Sequence, residues 1–245
     1  MYIIWDLDGT LLDTLEDLCL SVNHALREHG LPRRTLDEVR QFVGNGVRLL
    51  VERSMPADLE DICRQRTAGG TTTLTPEELT DRVFATFKTH YVAHCHDHTH
   101  PYAGIPEVLR ALKEQGHRMA IVSNKLQAGV TELWQEWFRD TIDVAVGERP
   151  GISRKPAPDM VRQAVRELLD VDDNDNVDLN LDLNLDLNLN VKALYIGDSD
   201  VDIVTARNAG MPCASVLWGF RDEAFLRAHG ATTLLHRPQE LLDLL

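Results

Sequence analysis

The chain has 245 residues, of which 43% are hydrophobic, and its formal net charge is −14. This length and hydrophobic content suffice for a substantial buried core, either as one large domain or as a core with a smaller inserted domain. The acidic balance argues against nucleic acid and anionic membranes as partners, because both bind basic surfaces.

No stretch reaches the roughly 20 apolar residues that a membrane-spanning helix needs. The N-terminus enters a charged motif by residue 6, which argues against a signal peptide. The four cysteines are scattered without the spacing of a metal site, at Cys19, Cys63, Cys95 and Cys213. We therefore expect a reduced, cytoplasmic protein.

The first predicted strand, Tyr2 to Trp5, is followed directly by Asp6-Leu7-Asp8-Gly9-Thr10. A strand that ends this way can present Asp6 as a nucleophile and Asp8, two residues on, as a general acid and base. Gly9 allows the backbone to turn sharply there. The pattern indicates phosphoryl transfer, although a plain acidic turn would give the same residues.

Residues 14–98 carry helical patterns, and we expect them to form a second, smaller helical domain inserted after this motif. Apolar residues recur with helical spacing from Leu15 to Ala25. Two capping-box pairs predict the starts of further helices, and these are Thr35 with Glu38 and Thr75 with Glu78.

Within this region Gly44, Asn45 and Gly46 lie just before Arg48. Two glycines around an asparagine allow a loop to approach a ligand closely, and Arg48 could bind a carboxylate on the leaving group. The spacing fits equally a simple junction between two helices, with Arg48 in solvent.

Histidines are concentrated near the end of the helical region, at His90, His94, His96, His98 and His100. In an extended chain the last four would share a face and could suit Zn²⁺. Pro101 and Gly104 follow at once, however, which favours a polar linker that returns to the core.

The next predicted strand, Met119 to Val122, ends in Ser123 and Asn124. A hydroxyl and an amide at this point can hydrogen-bond phosphate oxygens. Lys155 lies just ahead of a predicted helix at about 157–169, where it can set a positive charge against a transferring phosphoryl group.

Residues 171–191 form a low-complexity insert in which leucine alternates with Asp or Asn. Seven Asp and no Lys or Arg lie in residues 170–190, so this segment supplies half of the net charge. A period of two suggests a strand, but Asp and Asn are poor strand formers. We expect an expanded loop. A hairpin or edge strand and a calcium-binding repeat are the less favoured alternatives.

The last informative strand, Ala193 to Gly197, leads into Asp198, Asp200 and Asp202. The carboxyl ends of parallel strands meet at one edge of a sheet, so these acids should lie close to Asp6 and Ser123. Carboxylates gathered in one crevice repel each other unless a cation joins them. Mg²⁺ fits, because oxygen ligands and substrate phosphate hold it.

These four motifs, in this order, resemble those of the haloacid dehalogenase superfamily over nearly the whole chain. The resemblance implies a doubly wound, Rossmann-like α/β core with a parallel sheet in residues 1–13 and 99–245. It also implies that residues 14–98 form a helical cap of the C1 type. The insert at 171–191 departs from the family, in which this connection is short.

The resemblance also implies roles for the motif residues. Asp6 would attack phosphorus to give an aspartyl phosphate, and Asp8 would protonate the leaving oxygen and then activate water. Lys155 would neutralise developing charge. Asp6, Asp8 and Asp198 would bind Mg²⁺. Thr10 would order the loop at the phosphate site, and Ser123 and Asn124 would bind the phosphate. Asp202 would be a supporting acid.

Three segments look like the phosphoglycolate phosphatase branch of the family, namely Val43 to Gly46, Gly197 to Met211 and Trp218 to Arg221. This likeness brings Gly44, Asn45 and Arg48 forward as substrate-binding residues. The expected reaction is Mg²⁺-dependent hydrolysis of a small phosphate ester such as 2-phosphoglycolate.

Other activities of the superfamily share most of these motifs. A sugar phosphomutase and a pyrophosphatase stay open from the sequence, as does a catalytically silent module that binds a phosphometabolite. A dehalogenase is disfavoured because no alkoxide leaves in its reaction, so an acid at the position of Asp8 would have no function. A phosphonoacetaldehyde hydrolase is disfavoured because Lys88 is the only lysine between residues 14 and 98.

Overall fold

A parallel β-sheet forms the centre of the larger part of the structure. The computed structural model describes residues 1–44, 46–67, 74–172 and 192–245. In chain order the strands of these residues are β1 (Tyr2–Trp5), β2 (Leu12–Asp13), β3 (His100–Pro101), β4 (Arg118–Leu126), β5 (Val144–Glu148), β6 (Ala193–Gly197), β7 (Cys213–Val216) and β8 (Thr233–Leu235).

Six of these strands pair in the order β5-β4-β1-β6-β7-β8, and every pairing is parallel. The first strand lies at the centre, where Trp5 pairs with Ile121 on one side and with Ile196 on the other. The ends of β1 and β6 are therefore nearly level, and they lie beside Ile121 and Val122 of β4, which continues to Leu126. Residues that follow this level meet at one edge of the sheet.

The helices of the described residues are α1 (Leu15–Glu28), α2 (Leu36–Phe42), α3 (Val47–Ser54), α4 (Leu59–Thr67), α5 (Pro76–His94), α6 (Ile105–Glu114), α7 (Gln127–Trp137), α8 (Asp159–Asp172), α9 (Asp200–Asn208), α10 (Glu223–Ala228) and α11 (Glu240–Leu244). The chain forms two compact units, one of Met1–Asp13 with Pro101–Leu245 and the other of Thr14–His100.

Successive side chains of β1 point to opposite faces of the sheet, as they do in any strand. Ile3 and Trp5 pack in a core with apolar residues of α6 and α7. Ile4 packs in a second core with apolar residues of α8. Because both faces are covered, β1 is apolar on both of its faces, and the predicted doubly wound α/β fold is confirmed.

The helical unit is built largely on the packing of α1 against α5. Val22 and Phe87 are fully buried there, and Phe87 stacks on Tyr91 with ring centroids 5.4 Å apart. Both predicted capping boxes are confirmed, with Thr35 and Glu38 at the start of α2 and Thr75 and Glu78 at the start of α5.

Two predictions fall outside the described residues. These are the conformation of the insert, of which residues 173–191 are not described, and the placement of Asn45. Among the residues that are described, no helix has the length and hydrophobicity required to cross a bilayer.

Asp17, in the first turn of α1, joins that helix to the end of the helical unit. Its carboxylate accepts hydrogen bonds from the backbone N–H and Nδ1 of His98. It also accepts from the backbone N–H and hydroxyl of Thr99, at 2.9 and 2.8 Å. Burial would raise the pKa of Asp17, but these hydrogen bonds outweigh it and lower the pKa below 3.8.

Replacement of Asp17 by Ala should reduce the free energy of unfolding of the helical unit by about 2–3 kcal/mol, because it leaves two backbone N–H groups without an acceptor. The folded-state pKa is lowered, so this stabilisation is complete above pH 3.8 and disappears as the pH falls through the folded value. Thermal unfolding of the wild type and D17A at neutral and acidic pH measures both effects.

The matched control is Asp140→Ala, since the side chain of Asp140 is 92% exposed. If D17A unfolds at the same temperature as D140A at neutral pH, the anchoring role of Asp17 is wrong.

Candidate active site

Polar side chains collect at the ends of the three central strands. Asp6 follows β1 and Asp198 follows β6, and both are buried. Ser123, also buried, was expected just after a strand that ends at Val122, but β4 continues to Leu126. The pairing of β4 with β5 is irregular between Val122 and Leu126, so Ser123 lies where the sheet is locally interrupted.

Three of the predicted acids form a tight group. Asp6, Asp198 and Asp202 each offer a carboxylate oxygen, and these oxygens all lie within 4.8 Å of one another. At most 8% of the surface of each residue is exposed. Charges so close and so poorly solvated repel strongly, and the site needs positive charge to hold them together.

Lys155 supplies one such charge from between two of the acids. Its Nζ lies 2.7 Å from Asp6 Oδ1 and 2.8 Å from Asp202 Oδ1. The remaining hydrogen bonds of Asp202 come from the hydroxyl of Tyr195 and from the backbone N–H and hydroxyl of Ser199. Both oxygens of Asp202 are therefore occupied by donors, which suits a residue that positions Lys155.

Burial and the charges of its members shift the pKa values of this group. Burial lowers the pKa of Lys155, but the charges of Asp202 and Asp6 outweigh it and raise the pKa well above 10.5, so Lys155 is an ammonium. Burial and then the charge of Asp202 raise the pKa of Asp198 to about 7. Burial and Asp202 likewise raise the pKa of Asp6, against the opposing effect of Lys155. One ammonium does not balance three carboxylates.

The backbone also approaches this group closely. Gly9 adopts a positive φ of 87°, and a Cβ at this position would collide with the carboxylate of Asp198 and the ring of Phe220. The backbone N–H of Phe220 donates to Asp198 Oδ2 at 2.7 Å. The sequence segment around Phe220 was noted only for its likeness to a branch of the family, and its contact with Asp198 was not predicted.

Asn124 was predicted to bind phosphate, but its amide contacts the backbone of Lys155. Its Oδ1 accepts from the N–H of Lys155 at 2.8 Å, and its Nδ2 donates to the carbonyl of the same residue at 3.1 Å. In this arrangement Asn124 fixes the loop that carries Lys155. Phosphate binding by Asn124 stays a prediction.

Asp8 lies apart from the three-acid group and has a lysine of its own. Lys125 Nζ lies 3.0 Å from Asp8 Oδ1, and the side chains of Lys125 and Asp8 are only 8% and 20% exposed. The group of Asp6, Asp198 and Asp202 does not include Asp8, and the role of Asp8 as a ligand of the metal stays a prediction. Lys125 was missed from the sequence, although its place directly after Ser123 and Asn124 was a usable signal.

The remaining predicted residues have the following placements. Thr10 is fully buried, and its carbonyl accepts from the indole N–H of Trp218. Asp200 begins α9, is partly exposed and has no role assigned to it. Gly44 lies after α2, and Gly46 immediately precedes α3.

Arg48, in α3, is held by acids of the helical unit. Its guanidinium lies 2.7 Å from Glu52 and 2.6 Å from Asp81, and it packs over the ring of Phe84. These carboxylates would compete with a carboxylate on a substrate. The role of Arg48 in substrate binding stays a prediction.

The donor set of the acid group fits Mg²⁺. Carboxylate oxygens are the ligands that this ion prefers, and a divalent cation would offset the charge that Lys155 leaves unbalanced. Asp6 and Asp198 are the residues placed to hold it, since both oxygens of Asp202 already accept hydrogen bonds.

The motifs and the sheet order agree with a comparison against protein families, in which the haloacid dehalogenase-like hydrolases match residues 3–216. The chain belongs to this family. The sequence-based prediction of the family is confirmed.

Several proteins that are similar to this chain over nearly its whole length are phosphoglycolate phosphatases by name. A phosphoglycolate phosphatase of Cereibacter sphaeroides (strain ATCC 17025 / ATH 2.4.3) is 32% identical, with 99% of this chain and 96% of the relative covered. One from Aquifex aeolicus (strain VF5) is 29% identical, covering 99% and 95%. A crystal structure from Lactobacillus delbrueckii subsp. bulgaricus, provisionally described as a phosphoglycolate phosphatase, has 33% identity and a TM-score of 0.78, covering 99% and 97%.

Replacement of Lys125 by Met should lower kcat for phosphate-ester hydrolysis by about tenfold or more, because Asp8 loses the cation that orients it and general acid–base catalysis commonly contributes more than that. Lys125→Arg should restore part of the loss, which a merely structural role would not require. Steady-state assays on both variants measure this.

Lys113→Met is the matched control, because Lys113 lies on the exposed surface of α6 in the same unit. Equal kcat values for K125M and K113M would contradict the role given to Lys125.

Proposed function

We propose that this enzyme is a Mg²⁺-dependent phosphatase that hydrolyses 2-phosphoglycolate or a closely similar small phosphate ester. The observation that carries the proposal is the position of Lys155, which lies within 2.8 Å of both Asp6 and Asp202 in a buried group of three acids. The names of the full-length relatives support the choice of substrate.

Asp6 is the nucleophile of the proposed reaction. Its carboxylate oxygen attacks phosphorus, a P–O bond forms, and the bond from phosphorus to the leaving oxygen breaks. A carboxylate approaches a phosphate dianion only where positive charge offsets their repulsion. Lys155 provides one such charge at 2.7 Å from Asp6. Bound Mg²⁺, held by Asp6 and Asp198, would supply further positive charge at the transferred phosphoryl group.

Asp8 is the proton donor and acceptor. It gives a proton to the leaving oxygen in the first step, so that an alcohol departs. In the second step it takes a proton from water, which attacks phosphorus, releases inorganic phosphate and regenerates Asp6. Its carboxyl group is less buried than that of Asp6 and is oriented by Lys125, so two neighbouring acids can play different parts.

Asp202 positions Lys155 in this scheme. It accepts four hydrogen bonds, from Lys155, Tyr195 and the hydroxyl and N–H of Ser199. The lysine ammonium is thereby held in place before substrate arrives. The ammonium of Lys155 therefore needs no reorientation during the reaction to stabilise the transition state.

A cytoplasmic location and the absence of nucleic-acid or membrane partners remain predictions from composition. The same holds for the role of the helical unit as a cap and for Gly44, Asn45 and Arg48 as substrate-binding residues.

The purified enzyme should release phosphate from 2-phosphoglycolate in preference to sugar phosphates, nucleotides and pyrophosphate, and a chelator should abolish that release until Mg²⁺ is restored. Phosphate release assays across this panel measure both effects. Activity confined to another ester would remove the substrate assignment but keep the reaction. Transfer between sugar positions without release would favour a phosphomutase, and no turnover of any ester would favour a binding module.

Replacement of Asp6 by Asn should leave a folded protein whose kcat is reduced about a thousandfold or more, because the nucleophile is removed. Asp200→Asn is the matched control, since Asp200 lies between Asp198 and Asp202 in the sequence but does not belong to the acid group. It should retain wild-type turnover. Near wild-type activity in D6N would rule out covalent catalysis through Asp6.

A further inference from the structure

A second lysine lies at the active site, beside the proposed proton donor. Lys125 Nζ is 3.0 Å from Asp8 Oδ1, and the side chain of Lys125 is 8% exposed. The side chain of Asp6, the proposed nucleophile, is 11% exposed, so Lys125 is as sheltered from solvent as the nucleophile. A positive charge with so little water around it attracts anions strongly. Lys125 can therefore act on an anionic substrate as well as on Asp8.

The backbone that carries Lys125 is fixed by short contacts at the irregular end of β4. The N–H of Lys125 donates to the hydroxyl of Ser123 at 3.2 Å. A Cβ at Gly147 would lie 2.9 Å from the carbonyl oxygen of Lys125, so β5 approaches this carbonyl closely. The aliphatic part of the Lys125 side chain passes beside Gly129 in the first turn of α7. These contacts restrict the position of Nζ before a substrate binds.

The proposed substrate carries a carboxylate that needs a cation. Arg48 was the residue expected to bind it, but its guanidinium is held by Glu52 and Asp81 within the helical unit. Lys155 is placed at the nucleophile, where the phosphoryl group is transferred. In 2-phosphoglycolate the carboxylate is bonded to the carbon that carries the leaving oxygen. The cation that binds this carboxylate must therefore lie near the leaving oxygen.

Lys125 meets this requirement through its contact with Asp8. A proton donor lies within about 2.6–3.2 Å of the atom that it protonates, so the leaving oxygen lies next to Asp8. We propose that Lys125 binds the carboxylate of the leaving group and selects phosphate esters in which the carboxylate and the ester oxygen share one carbon. The esters of 2-hydroxy acids form this class. The inference rests on the proposed function and assigns the specificity of that reaction to a named residue.

The charge of Asp8 changes during the proposed reaction in a way that suits this role of Lys125. As proton donor, Asp8 is neutral when the ester binds, so it does not balance the charge of Lys125, and the carboxylate of the substrate does so instead. Once Asp8 has given its proton to the leaving oxygen, it is an anion again. It then competes with the carboxylate of the product for Lys125 and repels it, which favours release of the product.

The test compares 2-phosphoglycolate with 2-phosphoglycolamide, the same ester with an uncharged amide in place of the carboxylate. The wild type should prefer the carboxylate ester by about tenfold or more in kcat/KM, and Lys125→Met should remove most of that preference, because a hydrogen bond between charged groups is lost. The weaker orientation of Asp8 in K125M lowers kcat for both esters, so the ratio isolates the contact with the carboxylate. Lys125→Arg should keep most of the preference, because it keeps the positive charge.

Lys113→Met, on the exposed surface of α6, is the matched control and should keep the wild-type preference. A second variant, Lys125→Gln, guards against a folding defect in K125M, and circular dichroism verifies both. An unchanged preference in K125M and K125Q would overturn the inference and leave the proposed function intact. So would a wild type that hydrolyses the two esters equally well. A wild type that hydrolyses neither ester would overturn the proposed function and this inference with it.

Discussion

The ammonium of Lys155, held between Asp6 and Asp202, is the interaction on which the rest of the active site depends. Without it, three buried carboxylates whose oxygens lie within 4.8 Å of one another would be protonated or driven apart. The lysine is itself fixed by Asn124, which holds its backbone, and by Asp202, which holds its side chain. The parallel sheet serves to bring these residues, distant in sequence, to one edge.

The site also separates two acids that are only two residues apart in sequence. Asp6 lies in the dense group and contacts Lys155, whereas Asp8 contacts Lys125. One environment suits a nucleophile that works beside a metal ion, and the other suits a group that exchanges protons with the leaving oxygen and water. In the proposed reaction each acid has its own lysine, Lys125 from the end of β4 and Lys155 from the segment between β5 and α8.

The sequence predicted much of this arrangement because its main features are local. Apolar runs followed at once by Asp6 and Asp198 indicate strand ends, and the rule that parallel strands end at one edge brings those residues together. The same reasoning ended β4 at Val122, but that strand continues past Ser123 to Leu126. Helix starts at Thr35 and Thr75 were predictable for the same reason, since a capping box is a contact across three residues.

Contacts between distant side chains were beyond that reasoning. The pairing of Lys125 with Asp8 spans 117 residues, and nothing in the spacing of either motif requires it. Asn124 has the right chemistry for phosphate but is used to hold the Lys155 loop. His24 stacks on His90 only because α1 packs against α5, and the periodicity of each helix alone does not predict which residues meet.

The stereochemical course at phosphorus tests the central claim most directly, because it does not require an intermediate to accumulate. A substrate whose phosphoryl group is made chiral with oxygen isotopes would be hydrolysed in isotopically labelled water, and the configuration of the released phosphate determined. Attack by Asp6 followed by attack of water gives two inversions, so the account predicts net retention. Net inversion would show a single displacement by water and would contradict the role of Asp6 as nucleophile.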